Sequence, residues 1–173
     1  MLKSVIEGRV WKFGDNISTD YMKPGFASGE TLEEQAAFCM RAIRPDFAQE
    51  VKPGDVIVAG KNFGCGSSRP AAQNLITLRI GCVIAESFAR LFFRGSISHG
   101  LPLLYCKGVY DAFEEGDILQ ADFQTGEVRN LTSGKVLQAD PLPDVAMKIL
   151  SAGGVVALLK EEFRKGGQAP EPV

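Results

Sequence analysis

Residues 4–13, SVIEGRVWKF, carry the β-branched and aromatic side chains of a first strand. The next stretch, residues 14–30, is polar, with three glycines and a proline, and reads as a long exposed loop of the kind that carries function. Thr31 and Glu34 then have the spacing of a capping box. Leu32, Ala36, Cys39 and Ile43 continue as a helical apolar stripe through TLEEQAAFCMRAI. Residues 53–60, PGDVIVAG, contain a short β-branched run and predict a buried strand. It ends in the glycine-rich KNFGCGSSRP, and AAQNLITLRI follows as a helix with Gly81 as its C-cap. CVIAES predicts a strand, FARLFFRGSIS a helix with an aromatic face, and LPLLYC a strand. Strands alternating with helices imply a parallel α/β layer as far as Cys106.

The pattern then changes. Residues 116–139 alternate apolar and polar positions, with turns at Gln124–Gly126 and Thr132–Lys135, which predicts an antiparallel meander. Two short helices follow, from Pro143 to about Ala152 and from about Gly154 to Arg164. The expected organisation is one domain over 1–165 and a disordered tail over 166–173. An α/β layer and a meander in one core give a mixed, layered fold rather than a simple doubly wound sheet.

Composition narrows the function. Apolar residues make up 45% of the 173 and charged residues 23%, enough for one sizeable core. The net charge of −2 and the lack of a basic run argue against a nucleic-acid grip. The N-terminus lacks the apolar stretch of a signal peptide, and no run approaches a membrane span. The four cysteines, Cys39, Cys65, Cys82 and Cys106, form no CxxC pair, and there is one histidine. A metal or iron–sulfur site built from this chain alone is not expected, and a reducing, cytoplasmic setting is.

The strongest chemical feature is Asn62-Phe63-Gly64-Cys65-Gly66-Ser67-Ser68-Arg69, between a predicted strand and a predicted helix. Glycines let the backbone approach a bound group, helix-start N–H groups favour an anion, and Arg69 adds a planar fork suited to a carboxylate. Arg69 stands where GxGxxG needs glycine, Lys61 lies on the wrong side for a Walker A loop, and Cys65 stands where the hydrolase elbow needs serine. An ordinary glycine turn followed by a Ser N-cap accounts for the same residues, and physics alone leaves the two readings level.

This segment resembles the signature of the swivelling domain of the aconitase superfamily, N-F-G-C/A-G-S-S-R. Gly14-Asp15-Asn16-Ile17-Ser18-Thr19-Asp20 resembles its G-D-N-x-x-T-D. Ser87-Phe88-Ala89-Arg90-Leu91-Phe92-Phe93-Arg94, with Gly100-Leu101-Pro102, resembles its S-F-A-x-x-F-x-x-N and G-L-P. Order and spacing agree from about Ile6 to about Lys160. The resemblance implies a layered β/β/α swivelling domain and the role of small subunit in a two-subunit hydro-lyase. The partner is a large subunit that holds a [4Fe–4S] cluster, and the substrate is a small 2-hydroxy di- or tricarboxylate. It implies Ser67 as the proton-abstracting base, Ser68, Arg69 and Gly66 as the substrate-carboxylate site, and Asp20 as an orienting or proton-relay group.

Two departures bear on the substrate. The usual Glu-His-Ala after the arginine is Pro70-Ala71-Ala72 here. The loop after Asp20, which usually carries an arginine in the isopropylmalate branch, reads Tyr21-Met22-Lys23-Pro24-Gly25-Phe26-Ala27-Ser28-Gly29, with Lys23 as its only cation. Tyr21, Met22 and Phe26 fit either an apolar pocket or a plain exposed loop. Isopropylmalate is the first expectation, with homoaconitate, methylcitrate and dimethylmalate as alternatives. A non-catalytic regulatory module and a Cys65–His99 hydrolase are the competing classes. His99 is expected as a capping or surface residue, Arg90 and Arg94 as solvated or partner-facing, and Trp11 as core.

Overall fold

The computed structural model describes residues 4–27, 31–66 and 71–166. Its organising element is the nine-residue strand β1 (Val5–Phe13), which serves two sheets in turn. Over Val10 to Phe13 it runs parallel to β2 (Val56–Ala59), in the register Val10↔Val56 to Phe13↔Ala59. Over Val5 to Arg9 it runs antiparallel to β5 (Ile118–Asp122), with Val5 opposite Asp122 and Arg9 opposite Ile118. β3 (Val83–Ala85) and β4 (Leu103–Tyr105) continue the parallel side. β6 (Glu127–Asn130) and β7 (Val136–Gln138) continue the antiparallel side, giving the order β4-β3-β2-β1-β5-β6-β7. The expected mixed sheet with a meander is therefore present, and a single shared strand joins its two parts.

Burial follows strand type. All residues of β2 and β3 are buried, as parallel strands covered on both faces require, whereas β5 alternates buried and half-buried positions. Around the sheet lie α1 (Thr19–Met22), α2 (Leu32–Ala36), α3 (Phe47–Glu50), α4 (Ala72–Thr77), α5 (Arg90–His99), α6 (Val109–Ala112), α7 (Asp144–Ala152) and α8 (Val155–Gly166). Trp11 is core, its ring edge-on to Phe47.

Three expectations need correction. Residues 14–27 are not a plain exposed loop: they include α1 and a 3₁₀ turn (Gly25–Ala27), and Ile17, Thr19 and Met22 are buried. The capping box of Thr31 and Glu34 is present, but α2 stops at Ala36 rather than running to Ile43. Met40 takes a left-handed φ of 61°, and its N–H leaves the helical pattern to donate to the Tyr21 carbonyl at 2.6 Å. Arg79, at φ 59°, takes the left-handed turn after α4 that was expected of Gly81. The short α3 and α6 carry too little periodicity to stand out in sequence. Of the expected tail, 166–173, Gly166 is the last residue of α8, and the residues beyond it lie outside those described.

One buried charge ties the two sheets to the layer beneath. Asp55, 5% exposed, accepts hydrogen bonds from Trp11 Nε1 at 2.8 Å, from Arg9 at 2.9 Å and from the Lys52 amide at 3.0 Å. Burial opposes its charge. The hydrogen bonds from Arg9, the Lys52 amide and Trp11, with the Arg9 charge, outweigh that and hold the carboxyl below its ordinary range. The unfolded chain then takes up the proton more readily, so this stabilisation is complete above the ordinary carboxylate range and fades as pH falls through the lowered folded value. Asp55→Ala should cost about 3 kcal/mol at neutral pH and flatten the acid limb of stability, measured by urea melts between pH 3 and 7.

Candidate active site

Because β1, β2 and β3 run parallel, their exit segments leave the same edge of the sheet, the edge where open α/β folds place ligands. The segments are the three singled out in the sequence. The Asn16 amide donates to the Lys61 carbonyl, Gly64 to Ile17, and Thr19 to Cys65, each at 2.8 Å. On the other flank Phe63 donates to the Ser87 carbonyl at 3.0 Å and Ala89 donates to Phe63 at 2.9 Å. Residues 62–65 are thus laced between 16–19 and 87–89, prolonging the sheet past the end of β2.

Side chains complete the lacing. Asp15 accepts from the Lys61 amide at 2.6 Å, the Asn62 amide group donates to Asn16 Oδ1 at 2.9 Å, and Ser87 Oγ accepts from the Asn62 N–H at 2.8 Å. Asn16 and Asn62 both hold left-handed φ values, 56° and 59°, the conformation that asparagine tolerates better than most. Asp15 and Asn16 thus shape the turn through their side chains.

Two glycines make the geometry possible. Gly64, at φ 81°, sits against Phe92, and a Cβ there would collide with the base of that ring. Gly66, at φ 98°, passes so close to Ser18 that a Cβ would lie 2.8 Å from its hydroxyl. The floor is aromatic: Phe63 packs edge-on to Phe88 and Phe92, and Phe88 edge-on to Tyr105, whose ring stacks on Phe93 at 4.8 Å. A rigid apolar floor limits how far the loops above it can shift.

Among the expected site residues, Asp20 and Gly66 are brought to one place. Ser18 caps α1 by accepting from the Asp20 amide at 3.1 Å. The neighbouring Thr19 is bonded to Cys65, next to Gly66, so the exposed Asp20 stands beside the glycine-rich segment. Lys23 is the C-cap of α1, its N–H donating to the Thr19 carbonyl. Ser67, Ser68 and Arg69, with Pro70, lie outside the described residues; Gly66 and Ala71 flank them. Tyr21, Met22 and Phe26 form no common apolar pocket: Met22 is fully buried, Tyr21 packs on the core, and Phe26 is 78% exposed and touches Phe38.

The remaining candidates separate. His99 Nδ1 meets the Gly95 carbonyl at 2.7 Å in the last turn of α5. That lies about 15 Å along the helix from the end near the site, so no Cys65–His99 pair forms. Arg90 and Arg94 are exposed around a 240 Å³ recess with Phe93 and Tyr105. A 480 Å³ recess opens on the site's edge between Lys61, Lys107, Glu86 and Asp111, with its charges mixed. Burial raises the thiols of Cys39, Cys82 (to about 12) and Cys106 (to about 11, helped by Glu86 and Asp140), and only Cys65 is partly exposed. Among the described residues no group of three or more His, Cys, Asp or Glu could hold a metal ion. Sequence reasoning passed over Ser87 and Asn62 as structural partners; their places inside two recognised motifs were the available signal.

Comparison with known proteins is concordant. Residues 27–108 match the aconitase C-terminal domain. The isopropylmalate/citramalate isomerase small subunit of Methanocaldococcus jannaschii is 51% identical over 94% of this chain and 98% of its own length. The 3-isopropylmalate dehydratase small subunit 1 of Methanopyrus kandleri is 50% identical over 93% and 96%. A methanogen homoaconitase small subunit from Methanothermobacter thermautotrophicus is 44% identical over 90% and 91%. The crystal structure of 3-isopropylmalate dehydratase from Methanocaldococcus jannaschii superposes with a TM-score of 0.89 at 39% identity, over 94% of this chain and 98% of that one.

The lacing makes a sharp demand at Gly64. Gly64→Ala combines a disfavoured backbone with a collision against Phe92, and should lower stability by more than about 2 kcal/mol in chemical denaturation. A wild-type melt for this variant would mean the loop does not sit on the aromatic floor.

Proposed function

Since the chain belongs to the family of 3-isopropylmalate dehydratase small subunits, built on the aconitase C-terminal domain, we propose that it closes the active site of a hydro-lyase acting on 3-isopropylmalate. The observation that carries this reading is the convergence of three motif segments, 14–20, 62–66 and 87–89, at one sheet edge, with Asp20 beside Gly66. A turn whose backbone is fixed on both flanks is suited to hold substrate in one orientation.

In this reading Ser67 removes a proton from a substrate carbon while hydroxide leaves the adjacent carbon; return of water in the opposite sense completes the isomerisation. Ser68, Arg69 and the Gly66 backbone grip a substrate carboxylate, Arg69 through its planar fork. Asp20 orients Ser67 or relays its proton, and Lys23, at the end of the same helical turn, faces the variable arm of the substrate. The described thiols and carboxylates do not fit an iron–sulfur cluster, so this chain has no step of its own through one. In this reading a [4Fe–4S] cluster held by the large partner subunit would supply Lewis-acid help at the departing hydroxyl. Four unpaired cysteines favour a reducing cytoplasmic setting, and no helix among the described residues is long and apolar enough to cross a membrane.

A second substrate reading, a longer tricarboxylate of the homoaconitate type, draws on the loop after Asp20, which lacks the usual arginine and has Lys23 as its only cation, and on the 44% identical homoaconitase relative. A panel of hydroxy acids offered to the reconstituted pair separates the two.

The chemistry is tested at the base. In the pair rebuilt with its large subunit and cluster, Ser67→Ala should reduce kcat by at least about 10³-fold while leaving subunit association intact. Turnover near the wild-type rate would turn the chain into a regulatory module; activity of the isolated chain, lost on thiol alkylation, would make it a cysteine hydrolase.

A further inference from the structure

Asn74, on α4, is fully buried among apolar neighbours. Its amide nitrogen donates to the Met22 carbonyl at 2.8 Å and to the Gln35 carbonyl at 3.3 Å. Those two acceptors fix the amide's orientation, because the reverse would set oxygen against oxygen. Its own oxygen, buried as well, finds no donor among the described residues. A buried acceptor left unpaired lowers stability, and the amide offsets that cost only on its nitrogen side, where it serves two backbone carbonyls at once. What this position gains is therefore the joining of those two carbonyls.

The amide does join three pieces of backbone that are far apart in sequence. Met22 closes α1, the turn that carries Asp20 two residues earlier. Gln35 belongs to α2. Asn74 itself stands in the first turn of α4, the helix entered through Ala71 directly after the segment 67–70. We propose that Asn74 is a positioning residue of the active site, a buried clamp that sets the turn bearing Asp20 relative to the helix that follows Ser67, Ser68 and Arg69. The inference rests on the reading of those residues given above. Asn74 touches no substrate, so its action is indirect. A displacement of the Asp20 turn by a fraction of an ångström would leave binding largely in place and misalign the reacting groups.

The test uses the reconstituted two-subunit enzyme on 3-isopropylmalate, with Asn74→Leu, Asn74→Asp and Asp20→Asn side by side. In folded, assembled Asn74→Leu pairs, kcat should fall roughly 10- to 100-fold while KM changes less than about threefold. A purely structural amide would instead lower Tm and leave kcat per assembled pair unchanged, which overturns the proposal. Asn74→Asp supplies a second readout should the leucine variant fail to fold. Ionised, its carboxylate faces two carbonyl oxygens; protonated, it can donate to Met22. Its turnover relative to wild type at the same pH should rise as pH falls, and a flat ratio counts against the clamp. Asp20→Asn distinguishes the two levels of argument. Wild-type turnover in that variant removes the reading of the site and this proposal with it. An inactive Asp20→Asn beside an unimpaired Asn74→Leu removes the clamp alone.

Discussion

The parallel register of β1 against β2 is the constraint from which the site follows. With Phe13 opposite Ala59, the two chains leave the sheet side by side, and the backbone ladder simply continues outward as Asn16 to Lys61, Gly64 to Ile17 and Thr19 to Cys65. Had the strands been antiparallel, residues 14–20 and 60–66 would have emerged at opposite edges. The exit of β3 through Ser87 to Ala89 closes the third side in the same way.

Electrostatic organisation matches this division of labour. The deeply placed charge, Asp55, sits before β2 at the opposite edge and is paired and hydrogen-bonded, holding the layers together. At the site's edge polar side chains serve the backbone instead: Asp15, Asn16, Asn62 and Ser87 all spend their hydrogen bonds on the lacing. Burial keeps three of the four thiols, those of Cys39, Cys82 and Cys106, protonated and out of the chemistry at the site's edge.

Much of this was legible in the sequence, for identifiable reasons. The runs VIVA and VIA announced buried strands because nothing else packs such short apolar runs, and the meander showed its period of two. The motif segments could be recognised from their residues, and the structure brings them together because parallel strands share an exit edge. What could not be read were contacts made across long separations. Nothing local tells that Met40 will bond Tyr21 and end α2, that Met22 will turn inward from a polar stretch, or that Arg79 rather than Gly81 will adopt the left-handed turn. Asn74 looked like an unremarkable helix residue because both of its partners lie dozens of positions upstream.

The sharing of β1 also has a mechanical side. Its first five residues are stitched into the meander and its last four into the parallel layer, so one covalent rod spans both. A rotation of the meander is carried along that rod to Phe13 and the loop beyond it. Meander and parallel layer therefore turn together, and the exit edge beyond Phe13 moves with them as one piece.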